Sequence, residues 1–305
     1  MIGVVGHDAG AMEIVSSHIR REKLDCGFCV EGEAVNVVAR KLGAVPQLSL
    51  ETLVEQCEWL LCGTSLLSDL EWRAVGKARR VGKRCVAVID HWVNYRQRFT
   101  RHGRWHWPDE VWVGDDLAAR IALETLPEVK QKLVPNAYFM DLEDEIKDLV
   151  VPSRVDGEGL NILYVCEPLR AGGIALYGDE RYWGYTEEEA LSYFLDQVGC
   201  LGEDVSRIVV RPHPKEPLDK YDWVTRQFDL PLVCGEEKTL LEQIVACDIV
   251  AGCATMAMVV GLRCGKRVIS CIPPGGKAVP LPQCEIEDMS DLILASQTSG
   301  GPRRC

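Results

Sequence analysis

The chain lacks any apolar run long enough to span a bilayer. A membrane-crossing helix needs roughly 18–20 such residues, whereas the longest uncharged apolar run, at 249–262, has 14. Neither G-x-G-x-x-G nor G-x-x-x-x-G-K-[ST] occurs, so a dinucleotide fingerprint and a P-loop are both unsupported. There is no G-x-S-x-G nucleophile elbow. No D-x-D triplet and no His/Cys cluster at metal-ligand spacing is present, and a divalent-metal mechanism therefore has no support in the sequence. Basic residues are outnumbered, 34 Lys and Arg against 46 Asp and Glu, leaving a formal charge of −12. Phosphate-backbone affinity is carried by Lys and Arg, which argues against a general nucleic-acid binder.

What remains is an ordinary globular composition: 305 residues, 47% apolar and 26% charged. That length suits roughly two domains at about 100–200 residues each. The charge is uneven. Residues 73–104 carry ten Lys/Arg against one acid, Asp90, while the middle and the C-terminal half are acidic. Of 14 cysteines, many lie inside apolar runs (Cys62, Cys85, Cys166, Cys253, Cys264, Cys271), where they read as small core hydrophobes in a reducing compartment. The pair Cys26 and Cys29 has no second pair and reads as part of a half-buried strand. The start, MIGVVGHDAG, has no basic secretory n-region, so a cytoplasmic protein is expected, with peripheral contact to the inner membrane face left open.

Short apolar runs alternate with helical patterns almost throughout. Strands are expected at 2–5, 26–30, 59–62, 84–89, 110–113 and 132–134, with helices at 11–21, 34–42, 50–57, 69–80 and 117–126. After an acidic stretch at 141–148 and a polar connector at 152–159, strands recur at 161–166, 207–211, 230–233, 248–251 and 267–272. Helices fit 186–198, 218–228, 238–246 and 255–264. Such alternation predicts an α/β protein with two tandem Rossmann-like domains and a cleft between them. The expected domains are 1–155 and 156–295, followed by a flexible tail at 296–305. Ligands of such sheets bind beyond the carboxyl ends of the strands, so the chemistry is sought there.

The sharpest signal is Arg211-Pro212-His213-Pro214-Lys215-Glu216 after a β-branched run. The prolines hold His213 rigidly, and an imidazole between two cations suits a phosphate leaving group. A stiff loop whose His merely bonds backbone is the plainer alternative. A second signal is Gly252-Cys253-Ala254-Thr255, small residues at a strand end that open a helix. Thr255 can cap that helix, and its free N–H groups would attract an anion. Glu167, Gly172 and Gly173 follow the first strand of the second half, in what reads as a loop open to a ligand. In the first half, His7 and Asp8 follow the first strand and are candidate acid/base groups; Asp8 equally suits a helix N-cap. Asp90, His91, Asn94, Arg96 and Arg98 form a basic, aromatic-rich stretch that would meet an anionic acceptor, unless it is only a solvated face. Trp105, Trp107 and Trp112 follow and suit a sugar-stacking wall, with Trp112 better placed in a core.

Taken together, the two halves, the R-P-H-P-K-E loop and the turn G-C-A-T-M-A-M resemble bacterial glycosyltransferases of the GT-B fold. The likeness is greatest to capsule and surface-polysaccharide enzymes with a His-Pro motif, such as polysialyltransferases and glycerophosphotransferases. That resemblance implies that His213 contacts a donor phosphate, with Arg211 and Lys215 beside it, and that Cys253, Ala254 and Thr255 line the donor. It further implies an acidic base in the first domain, which maps to Asp8 by position. The expected activity is inverting, metal-independent transfer from a nucleotide-activated sugar, with no cofactor, to an anionic glycan or a lipid- or protein-linked acceptor. A nucleotide-sugar hydrolase or 2-epimerase, and a non-catalytic nucleotide-sugar-binding protein, are the competing readings.

Overall fold

The alternation folds into two six-stranded parallel sheets in a computed structural model that describes residues 1–149, 159–277 and 281–299. The chain divides into two units, Met1–Leu142 and a second that begins at Glu143. The expected boundary at 155/156 lies outside the described residues.

The first unit runs β1 (Ile2–Gly6), α1 (Ala9–Glu22), β2 (Cys26–Val30), α2 (Glu33–Leu42), α3 (Leu50–Gln56), β3 (Leu60–Cys62), α4 (Leu70–Arg80) and β4 (Cys85–Val88). It continues with α5 (Tyr95–Arg98), a small antiparallel hairpin of β5 (Thr100–Arg101) and β6 (Arg104–Trp105), then β7 (Glu110–Val113), α6 (Asp116–Thr125), β8 (Lys130–Leu133) and the first half of α7 (Ala137–Asp148), the helix in which the division at Leu142 falls. Its sheet order is β2-β1-β3-β4-β7-β8. Successive strand residues face opposite sides, so both faces must be apolar when helices cover both. Accordingly Val4, Phe28, Leu61 and Val86 pack with Met12 and Val38, while Val5, Cys29, Leu60 and Cys62 pack with Leu53 and Ala74. Each such Val or Leu contributes about 1.5–3 kcal/mol on burial.

In the second unit the order is β9 (Leu160–Val165), α8 (Leu169–Tyr177), α9 (Glu187–Gln197), β10 (Val205–Arg211), α10 (Val224–Gln227), β11 (Leu232–Cys234), α11 (Leu240–Ala246) and β12 (Ile249–Gly252). Then come α12 (Met256–Arg263), β13 (Arg267–Ser270), β14 (Glu287–Asp288) and α13 (Met289–Ser299). The sheet order is β11-β10-β9-β12-β13-β14. Strand order therefore reverses between β1 and β3 in one unit and between β9 and β12 in the other. These switch points are where doubly wound sheets open a crevice for ligands.

Differences from the sequence reading are local. The acidic stretch at 141–148 is the end of α7, and the expected loop around Gly172 and Gly173 is the body of α8. The helix expected at 218–228 shrinks to Val224–Gln227. Helix α13 runs to Ser299, into the segment expected as a tail, and residues 300–305 lie outside the described residues. Among the described residues 13 cysteines are all free; Cys62, Cys85, Cys166, Cys253 and Cys271 are buried core hydrophobes as expected, whereas Cys264 is only partly buried and Cys284 is exposed. No described helix is long and apolar enough to cross a membrane.

Candidate functional site

At the second unit's switch point, Glu167 leaves β9 and turns its carboxylate onto the start of α12. Oε1 accepts the Ala254 N–H at 2.6 Å, and the amides of Cys253 and Thr255 also bond to this carboxylate. Burial pushes Glu167 up to about 7 against the pull of those amides, and the nearby Glu216 carboxylate adds to the rise. Thr255 caps α12 as expected, its hydroxyl accepting the Ala257 N–H at 3.3 Å. Cys253 and Ala254 are buried, and the Cys253 carbonyl accepts the Ser270 hydroxyl at 3.0 Å.

The His213 loop is built on a residue of its own motif. Glu216, its side chain 4% exposed, accepts the His213 N–H at 2.9 Å through Oε2. Its Oε1 accepts from Lys220 at 2.7 Å and from the Tyr221 hydroxyl at 3.0 Å. Lys220 also pairs with buried Glu187, which accepts the Arg170 N–H at 3.0 Å where α8 begins. One cation between two buried carboxylates thus ties the loop after β10 to the loop after β9. His213 Nδ1 accepts the Lys215 N–H at 3.1 Å. Arg211 does not join this group. Its guanidinium reaches the other side of the loop, donating to the Lys238 carbonyl at 2.9 Å and to Gln243 at 2.6 Å. Gly172 and Gly173 use their backbone within α8, so they offer no open loop; a Cβ on Gly173 would stand 2.5 Å from the Asp179 carbonyl oxygen.

In the first unit, His7 and Asp8 form a pair after β1. The Asp8 carboxylate lies 2.8 Å from His7 Nδ1, which leaves Nε2 as the free ring nitrogen. Asp8 occupies the N-cap position of α1 but makes no side-chain cap bond, so the helix-cap reading is not what the geometry favours. The ring edge rests against Gly32, whose φ of +57 suits glycine and where a Cβ would meet Nε2 at 2.6 Å. Beneath the turn, Glu71 accepts the His7 N–H at 2.8 Å. Burial pushes Glu71 up to about 7, and the charge of Asp8 adds to it.

The stretch after β4 is less free than its charge implied. Arg98 is 8% exposed, paired with Asp90 at 2.9 Å and bonded to the Thr64 hydroxyl at 2.9 Å. The other Asp90 oxygen crowds the start of α1, only 2.1 Å from where a Gly10 Cβ would stand. Arg96 forms a two-point pair with Glu128 at 3.1 and 3.2 Å and lies over the Trp107 ring. Arg101 is consumed by Asp69 and by the carbonyls of Ser65 and Ser68. His91 accepts the Trp92 N–H at 3.0 Å, and burial lowers its pKa; Asn94 adopts the left-handed conformation that starts α5. Arg96 and Arg98 are thus engaged within the protein rather than standing as unpaired cations. Trp105, 60% exposed, stacks with Trp107, whereas Trp112 lies in the core.

Glu71, Glu187, Glu216 and Lys220 are the groups sequence reasoning missed. Only Glu216 left a signal, as the last residue of the His-Pro motif. Among the described residues no group of three or more His, Cys, Asp or Glu side chains is arranged to hold a metal ion.

Several solved structures are similar in fold over nearly the whole length of the chain. The UDP-GlcNAc 2-epimerase of Methanocaldococcus jannaschii matches with a TM-score of 0.60 at 10% identity, covering 100% of this chain and 94% of that one. The UDP-GlcNAc 2-epimerase of Neisseria meningitidis, bound to UDP-GlcNAc, gives 0.55 at 11% identity, covering 97% and 90%. An α/β-galactoside α-2,3-sialyltransferase of Photobacterium phosphoreum gives 0.50 at 7% identity, covering 95% and 99%. No family model and no curated protein sequence matches the chain. At such identities the likeness is one of fold: α/β, with two tandem Rossmann-like units of the GT-B type.

Proposed function

We propose that the protein is an enzyme acting on a nucleotide-activated sugar, with inverting, metal-independent transfer to an acceptor as its leading reaction. The observation that carries this reading is the construction of the second unit's switch point. Loops after β9, β10 and β12 are joined there by Glu167, Glu187, Glu216 and Lys220, and His213 and Lys215 stand on the loop so fixed. Preorganised donors of this kind stabilise charge that develops on a leaving phosphate. Cys253, Ala254 and Thr255 line the donor side. In the first unit Asp8 orients His7, whose Nε2 takes the proton of an acceptor hydroxyl. The acceptor is a glycan or lipid-linked sugar bearing negative charge, as in the surface-polysaccharide enzymes whose His-Pro loop this sequence resembles.

A 2-epimerase or hydrolase is the second reading, favoured by the full-length fold likeness to two enzymes named as UDP-GlcNAc 2-epimerases. Incubating the protein with isotope-labelled nucleotide sugars separates the two. Epimerised or hydrolysed donor without any acceptor supports the second reading. Donor consumption that requires an added glycan supports the first, and inertness toward every donor with and without glycan refutes both.

A further inference from the structure

Glu71 belongs to the first turn of α4, yet its carboxyl serves the turn after β1. The side chain is 4% exposed. Oε1 accepts the His7 N–H at 2.8 Å, while Oε2 is buried with no hydrogen-bond partner. Gly63, just beyond β3, lines the same crevice: a Cβ there would stand 3.8 Å from Oε1 and 3.1 Å from Ala11 Cβ. That crevice is the β1/β3 switch point of the sheet. Among the described residues no cation forms an ion pair with Glu71. The groups facing it are Asp8 and His7 from the turn and Cys62 from β3.

A carboxylate in this position would be a buried charge with no counter-ion beside a second carboxylate, which is strongly unfavourable. A protonated carboxyl is not. Its carbonyl oxygen still accepts the His7 N–H, and its hydroxyl carries the hydrogen. Burial accordingly pushes the Glu71 carboxyl up to about 7.

We propose that Glu71 is a positioning residue of the first unit's site: as a neutral carboxyl it fixes the His7–Asp8 turn through the His7 amide, leaving the Asp8 carboxylate to face the imidazole. The proposal rests on the reading that His7 and Asp8 handle the acceptor's proton. Ionising Glu71 would place a second negative charge under the turn, and its effect should pass through His7 and Asp8 rather than through donor binding.

The deciding test needs no substrate. The His7 backbone amide proton is followed by NMR between pH 5.5 and 8.5 in the wild type and in Glu71→Gln. An amide bonded to a carboxyl moves downfield when that carboxyl ionises. The expected result is a difference between the wild-type and variant curves that steps downfield near pH 7. A difference curve that stays flat across this range overturns the proposal whatever reaction the enzyme performs. Activity gives the second readout. Glu71→Gln keeps both neutrality and an acceptor oxygen, so kcat should stay within about threefold at neutral pH and lose its dependence on this ionisation. Glu71→Ala removes the acceptor and should lower kcat about tenfold or more, with donor KM unchanged, because small misplacements of a catalytic group are costly. An unchanged kcat in a folded Glu71→Ala protein also overturns it.

Discussion

The Glu167 carboxylate lies 2.6 Å from the Ala254 amide, where a bound anion would otherwise meet the start of α12. The small-residue turn therefore does not leave its N–H groups vacant. Comparable carboxylates cover the His7, Arg170 and His213 amides. On the proposed reading a phosphate in the second unit is met by side chains of this loop, the Lys215 ammonium supplying charge and His213, whose Nδ1 accepts the Lys215 N–H, supplying a neutral donor.

Glu167 makes stability fall as pH rises. Its folded pKa, about 7, lies above the ordinary glutamate value of 4.5. The protonated form is thus favoured by folding. The resulting stability is fully present below pH 4.5 and is lost as pH rises through 7, by up to about 3 kcal/mol. Glu167→Gln should lose less stability between pH 5 and 8 than the wild type in urea titrations. Equal losses in the two proteins would count against this assignment.

Arg98 and Arg96 should behave differently although both come from the same basic stretch. Removing buried Arg98 leaves Asp90, 17% exposed, without its counter-ion, so Arg98→Ala should cost about 3 kcal/mol, the low end for breaking a buried pair. Arg96 and Glu128 are about half exposed, and Arg96→Ala should cost no more than about 1 kcal/mol. Thermal unfolding of the two variants measures the contrast. A mild Arg98→Ala variant with impaired acceptor binding would restore the view of Arg98 as a recognition residue.

Most of the fold was legible because continuous β-branched runs such as Ile208–Val210 can hardly be anything but buried parallel strands. Helix α7 was not legible, because its acidic run reads as a linker. Only the folded chain brings Arg20, Arg21 and Lys41 to Asp141. Gly172 and Gly173 suggested a loop, since each glycine costs a helix about 1 kcal/mol. The tether from Glu187 to the start of α8 is a long-range bond that no local pattern shows. The site was half visible for the same reason. His7, Asp8, Glu167 and His213 stand at strand ends, which pattern reveals. Glu71 reaches its partner across 64 residues.

Asp141 should anchor α7 to α1 and α2. Burial alone would raise its pKa, but bonds from Ser17, Arg20 and Arg21 and the charge of Lys41 bring it down to about 2. A depressed carboxylate contributes stability above its ordinary value of 3.8, and that contribution is lost as pH falls toward 2, about 2 kcal/mol in all. Asp141→Asn should therefore be destabilised at pH 7 and nearly indistinguishable from wild type at pH 2. Circular dichroism melts at both pH values provide the comparison, and a pH-independent difference would contradict it.

Substitutions at the two loops should separate chemistry from binding. Asp8→Asn removes the charge that orients His7 and should lower turnover about 10²-fold while donor affinity survives. His213→Ala should lower turnover by about 10²–10³, the loss typical of one transition-state donor. Steady-state kinetics on folded variants decide both, and wild-type turnover in either would remove that residue from the mechanism.

The central claim, that the second unit holds a nucleotide-activated sugar, is tested most directly by thermal shift of the whole protein with CMP, CDP, UDP and GDP. A ligand that binds only the folded state at 100 times its Kd adds about 2.7 kcal/mol of apparent stability. One of these nucleotides should raise the Tm of the wild type and raise that of His213→Ala less. No shift with any of the four nucleotides would contradict it.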